Sequence, residues 1–347
     1  MSSAALTSPA PAAVPRFRSQ WIISRREDLI WFIGSGLAGY VALGLMALGF
    51  PIIPLQFVWF FAIDGPHVLA TVTRTYFDRA ERGRQGRFLW MPLPLLLIGP
   101  AMALAGQAAL FLLFAVCWQH FHIVKQHFGF VMLYKAKNRE RDKQDLALDR
   151  WFLLLSLFVP LGLFVMQTRP ALTAAVKLDW LAEAAVGVYL PVAALWVLRQ
   201  ITKWRRGAEM NWPKIALMAA VVPLQWFALL HAAKFGPDGI LRAGITLGLF
   251  HSLQYHRLMW FHNRNRYSTP EAAERNGFAA RLVSNVVKYL AVAIGLNLLL
   301  AFLPAALFPY ETVQCAIWGL AFMHYCLDAR IWRVRGDKEL ATALRLA

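Results

Sequence analysis

The chain consists of long apolar segments separated by short polar connections. Runs of roughly 17 to 25 apolar residues have the length that an α-helix needs to cross a bilayer. The pattern predicts ten such helices, at residues 28–50, 52–73, 88–105, 107–134, 151–167, 180–199, 213–233, 240–262, 284–305 and 311–332. Only Gly106 and Gln107 separate the third segment from the fourth, so a kinked or re-entrant segment is an alternative there. We therefore predict an all-α, polytopic membrane helix bundle.

Basic residues collect in alternate connections between these segments. They are concentrated at residues 16–26, 74–87, 135–150, 199–206, 264–281 and 330–338. The intervening connections contain only Arg169, Lys177, Lys234 and Arg242 out of 36 Lys and Arg. This alternation is the positive-inside pattern and predicts that both termini are cytoplasmic. Anionic lipid headgroups are sufficient partners for the net charge of +17, so no nucleic acid is expected.

Composition argues for one membrane domain instead of several soluble ones, because 59% of the residues are hydrophobic. We predict a short disordered cytoplasmic tail at residues 1–20, a single transmembrane domain at 21–335 and a cytoplasmic tail at 336–347. The expected location is a bacterial inner membrane, as a multi-pass protein. The motifs of common soluble enzymes, such as a P-loop, a G-x-S-x-G elbow, a C-x-x-C pair or HExxH, are absent from the sequence.

Eight of the nine histidines lie in the second, fourth, eighth and tenth segments, near the end that leads into a basic connection. They are His67, His120, His122, His127, His251, His256, His262 and His324, and they are accompanied by Asp64 and Asp328. Such side chains are costly inside a membrane unless they are paired, hydrated or bound to a metal. Because four segments place them at one depth, in the cytoplasmic half, we interpret them as one metal site. His231 lies near the other face and is expected to be an interhelical hydrogen bonder.

Helical spacing indicates which of these side chains can converge. Residues seven or eleven apart return to nearly the same helix face, as His120 and His127 do. The imidazoles expected to approach a common centre are those of His67, His120, His127, His251, His256 and His324. Asp64 and Asp328 are expected either to bind the metal or to orient the imidazoles that bind it.

Four further residues are candidates for the site. His122 is an additional candidate ligand, but it is five residues from His127 and would share an ion with it only across a π-bulge. The eighth segment repeats this HxxxxH spacing. His262 is another candidate ligand, and it is equally well explained as part of a solvated helix end. Tyr255 and Lys125 are the candidate catalytic residues, Lys125 as a counter-charge to a substrate or a carboxylate.

The ligand types indicate the chemistry. Imidazoles and carboxylates without thiolates suit iron, copper, manganese or zinc, and this mixture is typical of oxygen-activating non-haem iron. A site inside a helix bundle near the cytoplasmic interface is open to substrates dissolved in the lipid and to a cytosolic electron donor. We therefore expect a metal-dependent membrane oxidoreductase of the oxygenase, hydroxylase or desaturase type, with non-haem iron and a lipid or isoprenoid substrate.

Two other classes of protein remain alternatives. Facing histidines from two helices could ligate a b-type haem in an electron-transfer protein. A metal or proton transporter would need a relay of polar groups across the whole membrane. The confinement of eight histidines to one half of the bilayer disfavours the transporter.

The segment Asp64-Gly65-Pro66-His67, followed by Asp78 and by single histidines on later segments, resembles the bacteriorhodopsin-related protein family of β-carotene-cleaving membrane dioxygenases. The resemblance covers the second, fourth, eighth and tenth segments. It implies a polytopic fold, an iron held by histidines from different helices, and His67 as a ligand. The Pro-His-Gly run of that family is Pro66-His67-Val68 here, a departure that leaves open whether the substrate is a carotenoid. The chain is more broadly similar to diiron membrane desaturases and hydroxylases, whose HxxxH and HxxHH motifs it lacks.

Overall fold

The computed structural model describes residues 19–168 and 179–346, which form helices and no strand. In chain order the helices are α1 Arg25–Ala47, α2 Ile52–Thr75, α3 Arg79–Gln85, α4 Leu95–Leu104, α5 Ala108–Lys137, α6 Lys143–Thr168, α7 Asp179–Arg205, α8 Trp212–Ala233, α9 Gly239–Arg266, α10 Pro270–Asn276, α11 Phe278–Leu282, α12 Val286–Ala305, α13 Tyr310–Ile331 and α14 Lys338–Ala343. Most of the predicted tail at residues 1–20 lies outside the described residues, as do Arg169 and Lys177.

Seven of these helices, α1, α2, α5, α6, α7, α8 and α12, are long and apolar enough to cross a membrane. The prediction of an all-α, multi-pass membrane protein is therefore confirmed. Helices α9 and α13 have 28 and 22 residues but carry more polar side chains. The exact number of ten spans and the cytoplasmic orientation of the termini stay predictions.

The third predicted span differs most from the structure. In place of a helix over residues 88–105 there is a 3₁₀ turn, Gly86–Leu89, followed by α4, which has only 10 residues. A helix of that length is about 15 Å long, half of a hydrocarbon core. Gly106 follows α4 with a φ of 71°, a conformation that glycine adopts without strain, so α5 begins as a separate helix.

The four helices that carry the eight histidines all end at the same end of the bundle. At the end of α2, Arg74 donates from Nη2 to the carbonyl of Ile331, the last residue of α13, at 2.7 Å. The segment that contains α14 accepts hydrogen bonds from Lys137 at the end of α5 and from Asn265 near the end of α9. Helices α2, α5, α9 and α13 therefore run in one direction. We call the end at which they finish the basic end of the bundle, and the end at which they start the opposite end.

Buried ion pairs hold the basic end together. Lys135 and Lys214, both almost fully buried, each donate from Nζ to Asp149 at 2.8 Å. Glu140, in the connection between α5 and α6, accepts from Lys214 at 2.9 Å. Burial opposes ionisation of Glu140, but Lys214, Lys135 and Lys203 outweigh it and lower the pKa of Glu140 to about 2. These charges are satisfied within the protein and link α5, α6 and α8.

A π-helical segment, Val58–Asp64, lies within α2 just before His67. Such a segment leaves carbonyls without their usual partners in the helix, and two side chains from other helices bind them here. Asn297 of α12 donates to the carbonyl of Phe60 at 2.9 Å, and His256 of α9 bonds through Nε2 to the carbonyl of Ile63 at 2.8 Å. The π segment thereby sets the direction in which the residues after it face.

Candidate metal centre

Four buried histidines meet inside the bundle. They are His67 of α2, His122 of α5, His251 of α9 and His324 of α13, one from each of the four parallel helices. One ring nitrogen from each lies within 4.8 Å of the nitrogens of the other three. Four nitrogens around a tetrahedral ion, at bond lengths of about 2.1 Å, would be roughly 3.4 Å apart. The group is therefore compact enough to bind a single metal ion.

Each of these imidazoles has one buried nitrogen without a hydrogen-bond partner among the described residues. The unpaired atoms are Nε2 of His67, His122 and His324 and Nδ1 of His251. A buried polar atom that lacks a partner costs about 1–3 kcal/mol. Metal binding through these four nitrogens would remove all four costs.

The other nitrogen of His324 is held by a threonine and an aspartate. Nδ1 of His324 lies 2.7 Å from Oγ1 of Thr71, which donates to Oδ1 of Asp328 at 2.8 Å. The hydroxyl of Tyr255 donates to the same carboxylate oxygen at 2.8 Å. Because Thr71 uses its hydrogen for Asp328, it accepts from His324, so the imidazole proton is on Nδ1. Nε2 of His324 then has no hydrogen, and its lone pair is available to bind a metal ion.

His67 is held by a second hydroxyl and a second carboxylate in the same order. Its Nδ1 lies 3.3 Å from Oγ of Ser252, and Ser252 donates to Oδ1 of Asp64 at 2.8 Å. Asp64 itself is 3.8 Å from Nδ1 of His67, too far for a direct hydrogen bond. Each aspartate thus accepts a hydrogen bond from a hydroxyl, and that hydroxyl contacts Nδ1 of the imidazole and orients it.

The two carboxylates also suit the charge of a metal ion. The four histidines are ligands without charge when neutral, and the nearest acids are Asp64 and Asp328. Asp328 lies 3.6 Å from Nδ1 of His324, and Asp64 lies 3.8 Å from Nδ1 of His67. Two ionised aspartates would balance a divalent cation at the centre. An uncompensated charge would be costly at this depth.

Three of the histidines expected to converge lie outside this group. His120 bonds through Nε2 to the carbonyl of Leu157 in α6 at 3.0 Å. His127 packs its ring 5.3 Å from that of Phe250. His256 uses its Nε2 for the π segment of α2, as described above. Each of them is on a different face of its helix from the histidine that joins the group.

The remaining candidates have other surroundings. His262 contacts Asn263 and packs against Trp332, nearer the basic end. Lys125 is exposed on α5, and its Nζ lies 5.6 Å from the ring centre of Phe128. His231 is at the opposite end of the bundle, near Phe235, and its Nε2 has no hydrogen-bond partner in the part of the chain that the structure describes.

Tyr255 is the one candidate catalytic residue that lies beside the four histidines. Its ring centre is 4.5 Å from that of His67 and 5.6 Å from that of His324. Its hydroxyl is bonded within the protein to Asp328, so this structure supports a role for Tyr255 in positioning the ligands.

Neither α5 nor α9 contains the π-bulge that a shared HxxxxH ligand pair would require. Both are regular α-helices throughout. The π segments lie in α1, at Asp28–Ile33, and in α2, at Val58–Asp64. Each helix consequently supplies a single histidine to the group.

Two hydroxyl residues of the site, Thr71 and Ser252, were not among the site residues predicted from the sequence. Thr71 is one helical turn after His67, and Ser252 directly follows His251. Serine and threonine are common in membrane helices, where they often bond to their own backbone. Position next to a histidine is the only sequence signal that could have found them.

A cavity of about 740 Å³ adjoins three of the four histidines. His67, His122 and His251 line it, together with Asp64 and Tyr325. Its other walls are mostly apolar, and its volume is in the range of small-molecule sites. An apolar ligand could therefore lie directly beside the proposed metal ligands.

Comparisons of the chain with protein-family models, with curated proteins and with solved structures gave no match. The functional conclusion accordingly depends on the site itself.

Proposed function

We propose that the protein is a membrane-embedded, metal-dependent oxidoreductase that acts on an apolar substrate from the lipid phase. The observation that carries the proposal is that one ring nitrogen from each of four buried imidazoles lies within 4.8 Å of the other three. Each of these rings also has a buried nitrogen for which the described residues offer no hydrogen-bond partner. The apolar cavity beside them supports the second half of the proposal.

Non-haem iron is the metal we favour, with copper, manganese and zinc as the other candidates. His67, His122, His251 and His324 would hold the ion, and a redox-active ion would supply electron transfer and dioxygen activation. Thr71 and Ser252 would keep two of the imidazoles in the tautomer and orientation that binding needs. The apolar walls would exclude bulk water from the centre.

A b-type haem is less compatible with the geometry. It needs two imidazoles on opposite faces of a porphyrin and free space around the ring between them. Here one nitrogen from each of four imidazoles lies within 4.8 Å of the other three. If two of the imidazoles bound a haem iron, the other two rings would occupy space that the porphyrin needs.

The resemblance to the β-carotene-cleaving dioxygenase family is in keeping with this proposal. That family also takes its iron ligands from separate helices, and His67 lies in the segment that carries the resemblance. We propose a similar arrangement of metal and ligands, in a bundle whose basic end faces the cytoplasm.

Metal analysis and an absorption spectrum of the purified protein test the proposal. We expect close to one redox metal ion per chain and no Soret band. His122→Ala should lose most of the metal, whereas His127→Ala, the matched variant on the same helix, should retain it. A protein without metal, or equal metal in the two variants, would rule out the centre.

A further inference from the structure

The cavity lies on one side of the four histidines. Three of them face it, but His324 does not, and a network of buried polar side chains fills the other side. In that network the hydroxyls of Thr71 and Tyr255, 2.6 Å apart, both donate to Asp328, between the histidines and the basic end. The open approach to the centre is therefore from the opposite end of the bundle.

The depth of the cavity is comparable to one leaflet of a bilayer. It extends from the first turns of α9 and α13, at Ile240 and Tyr310, to the histidines. At 1.5 Å per residue, Ile240 lies about 16 Å from His251 along α9, and Tyr310 about 21 Å from His324 along α13. Half of a hydrocarbon core is about 15 Å. A single extended lipid chain could thus reach from the membrane surface to the centre.

The mouth of the cavity lies between the end of α12 and the start of α13. Phe302 and Tyr310 line the cavity there and are also 57% and 72% exposed. The polar side chains that line the cavity near the starts of α2 and α13 are the uncharged Gln56 and Gln314. Among the residues that the structure describes, no Lys, Arg or Glu lines the cavity, and Asp64, the one Asp there, lies at the inner end.

From these features we propose that the ligand of the cavity is a neutral lipid with a single long apolar chain, which enters tail first between α12 and α13. Its uncharged polar end would stay at the mouth with Gln56 and Gln314, because burying a polar group deep among apolar walls is costly. The far end of its chain would meet the four histidines. This inference deepens the proposed function and rests on it for the role of the bound lipid.

Spin-labelled lipid esters can test the binding without metal. We would add methyl 16-doxylstearate to metal-free protein in detergent and measure the motionally restricted component of its EPR spectrum. Ala301→Phe places a ring inside the cavity and should weaken this binding roughly tenfold. Ala291→Phe, on the exposed face of the same helix, should leave it unchanged. Equal binding in the two variants would overturn the inference.

Direction of entry is tested with Cu²⁺ bound to the protein. Relaxation of the nitroxide by Cu²⁺ falls steeply with distance, so the label at carbon 16 should be broadened far more than the label of methyl 5-doxylstearate. Equal or reversed broadening would contradict entry tail first. If the protein binds the ester but no metal, the proposed oxidoreductase function is refuted and the cavity remains a lipid-binding site. Failure of the proposed function can therefore be distinguished from failure of the lipid-binding inference.

Discussion

Thr71→Val is the sharpest test of how the site is built. Valine has nearly the shape of threonine, so the change removes a hydroxyl without leaving a void. Thr71 is fully buried, and its Oγ1 lies 2.6 Å from the hydroxyl of Tyr255, 2.7 Å from Nδ1 of His324 and 2.8 Å from Asp328. Asp328 would keep its bond from Tyr255. Nδ1 of His324 would lose the only hydrogen bond that orients its ring.

The expected loss is one of metal affinity. Removing a group that orients a metal-binding imidazole typically weakens metal binding about 10- to 100-fold, or roughly 1.4–2.7 kcal/mol. The unpaired Nδ1–H of His324 would also lower the free energy of unfolding of the metal-free protein, by about 1–3 kcal/mol. Thr71→Ser retains the hydroxyl and should recover most of the metal affinity.

The assay is a titration of metal-free protein with Co²⁺ against a competing chelator. Thr73→Val is the matched control, because Thr73 is buried on the same helix and donates only to the carbonyl of Leu69, at 3.2 Å. Its metal affinity should equal that of the unmodified protein. Unchanged affinity in Thr71→Val, or an equal loss in Thr73→Val, would refute the assignment of Nδ1 of His324 as the oriented atom.

Three other predictions concern packing, charge and topology. Gly65→Ala would make its new Cβ clash with the side-chain amide of Asn297, so the variant should be less stable by about 1–3 kcal/mol and unfold at a lower temperature. Asn297→Ala in the same chain should relieve the clash. Glu140 has a folded pKa of about 2 against its ordinary 4.5, so it stabilises the fold above pH 4.5 and loses this contribution as the pH falls towards 2. The unmodified protein should lose stability between pH 4.5 and pH 2, and Glu140→Gln should lose up to about 3 kcal/mol less over the same range, measured by thermal unfolding. The same pH profile in the two proteins would contradict the ion-pair argument. Arg139→Cys, at an exposed position between α5 and α6, should react with an impermeant thiol reagent only from the cytoplasmic side of membrane vesicles, and labelling from the other side would reverse the orientation.

The sequence by itself determined the class of protein and the helices that carry the site. Long apolar runs specify membrane helices because each helix satisfies its own backbone hydrogen bonds, a local property that needs no knowledge of neighbours. The accumulation of histidines in four of the ten segments is equally local. Both features could be read from composition and spacing alone.

Which histidines form the group was decided only by the tertiary structure. His122 and His120 are two residues apart on α5 and so point about 160° apart. The packing of α5 turns His122 towards α9 and α13, and His120 towards Leu157 of α6. Spacing within a helix could show that His120 and His127 share a face, but not which face is directed at the centre.

The same limit applied to the hydroxyls behind the ligands. Ser252 is on α9 and Thr71 is on α2, yet Ser252 serves His67 of α2 and Thr71 serves His324 of α13. Each contact joins two residues on different helices that are 185 or more positions apart in the chain. The rotation of each helix about its axis and its register against its neighbours decide which side chains become partners. Both depend on the packing of all four helices, and no local sequence pattern encodes that packing.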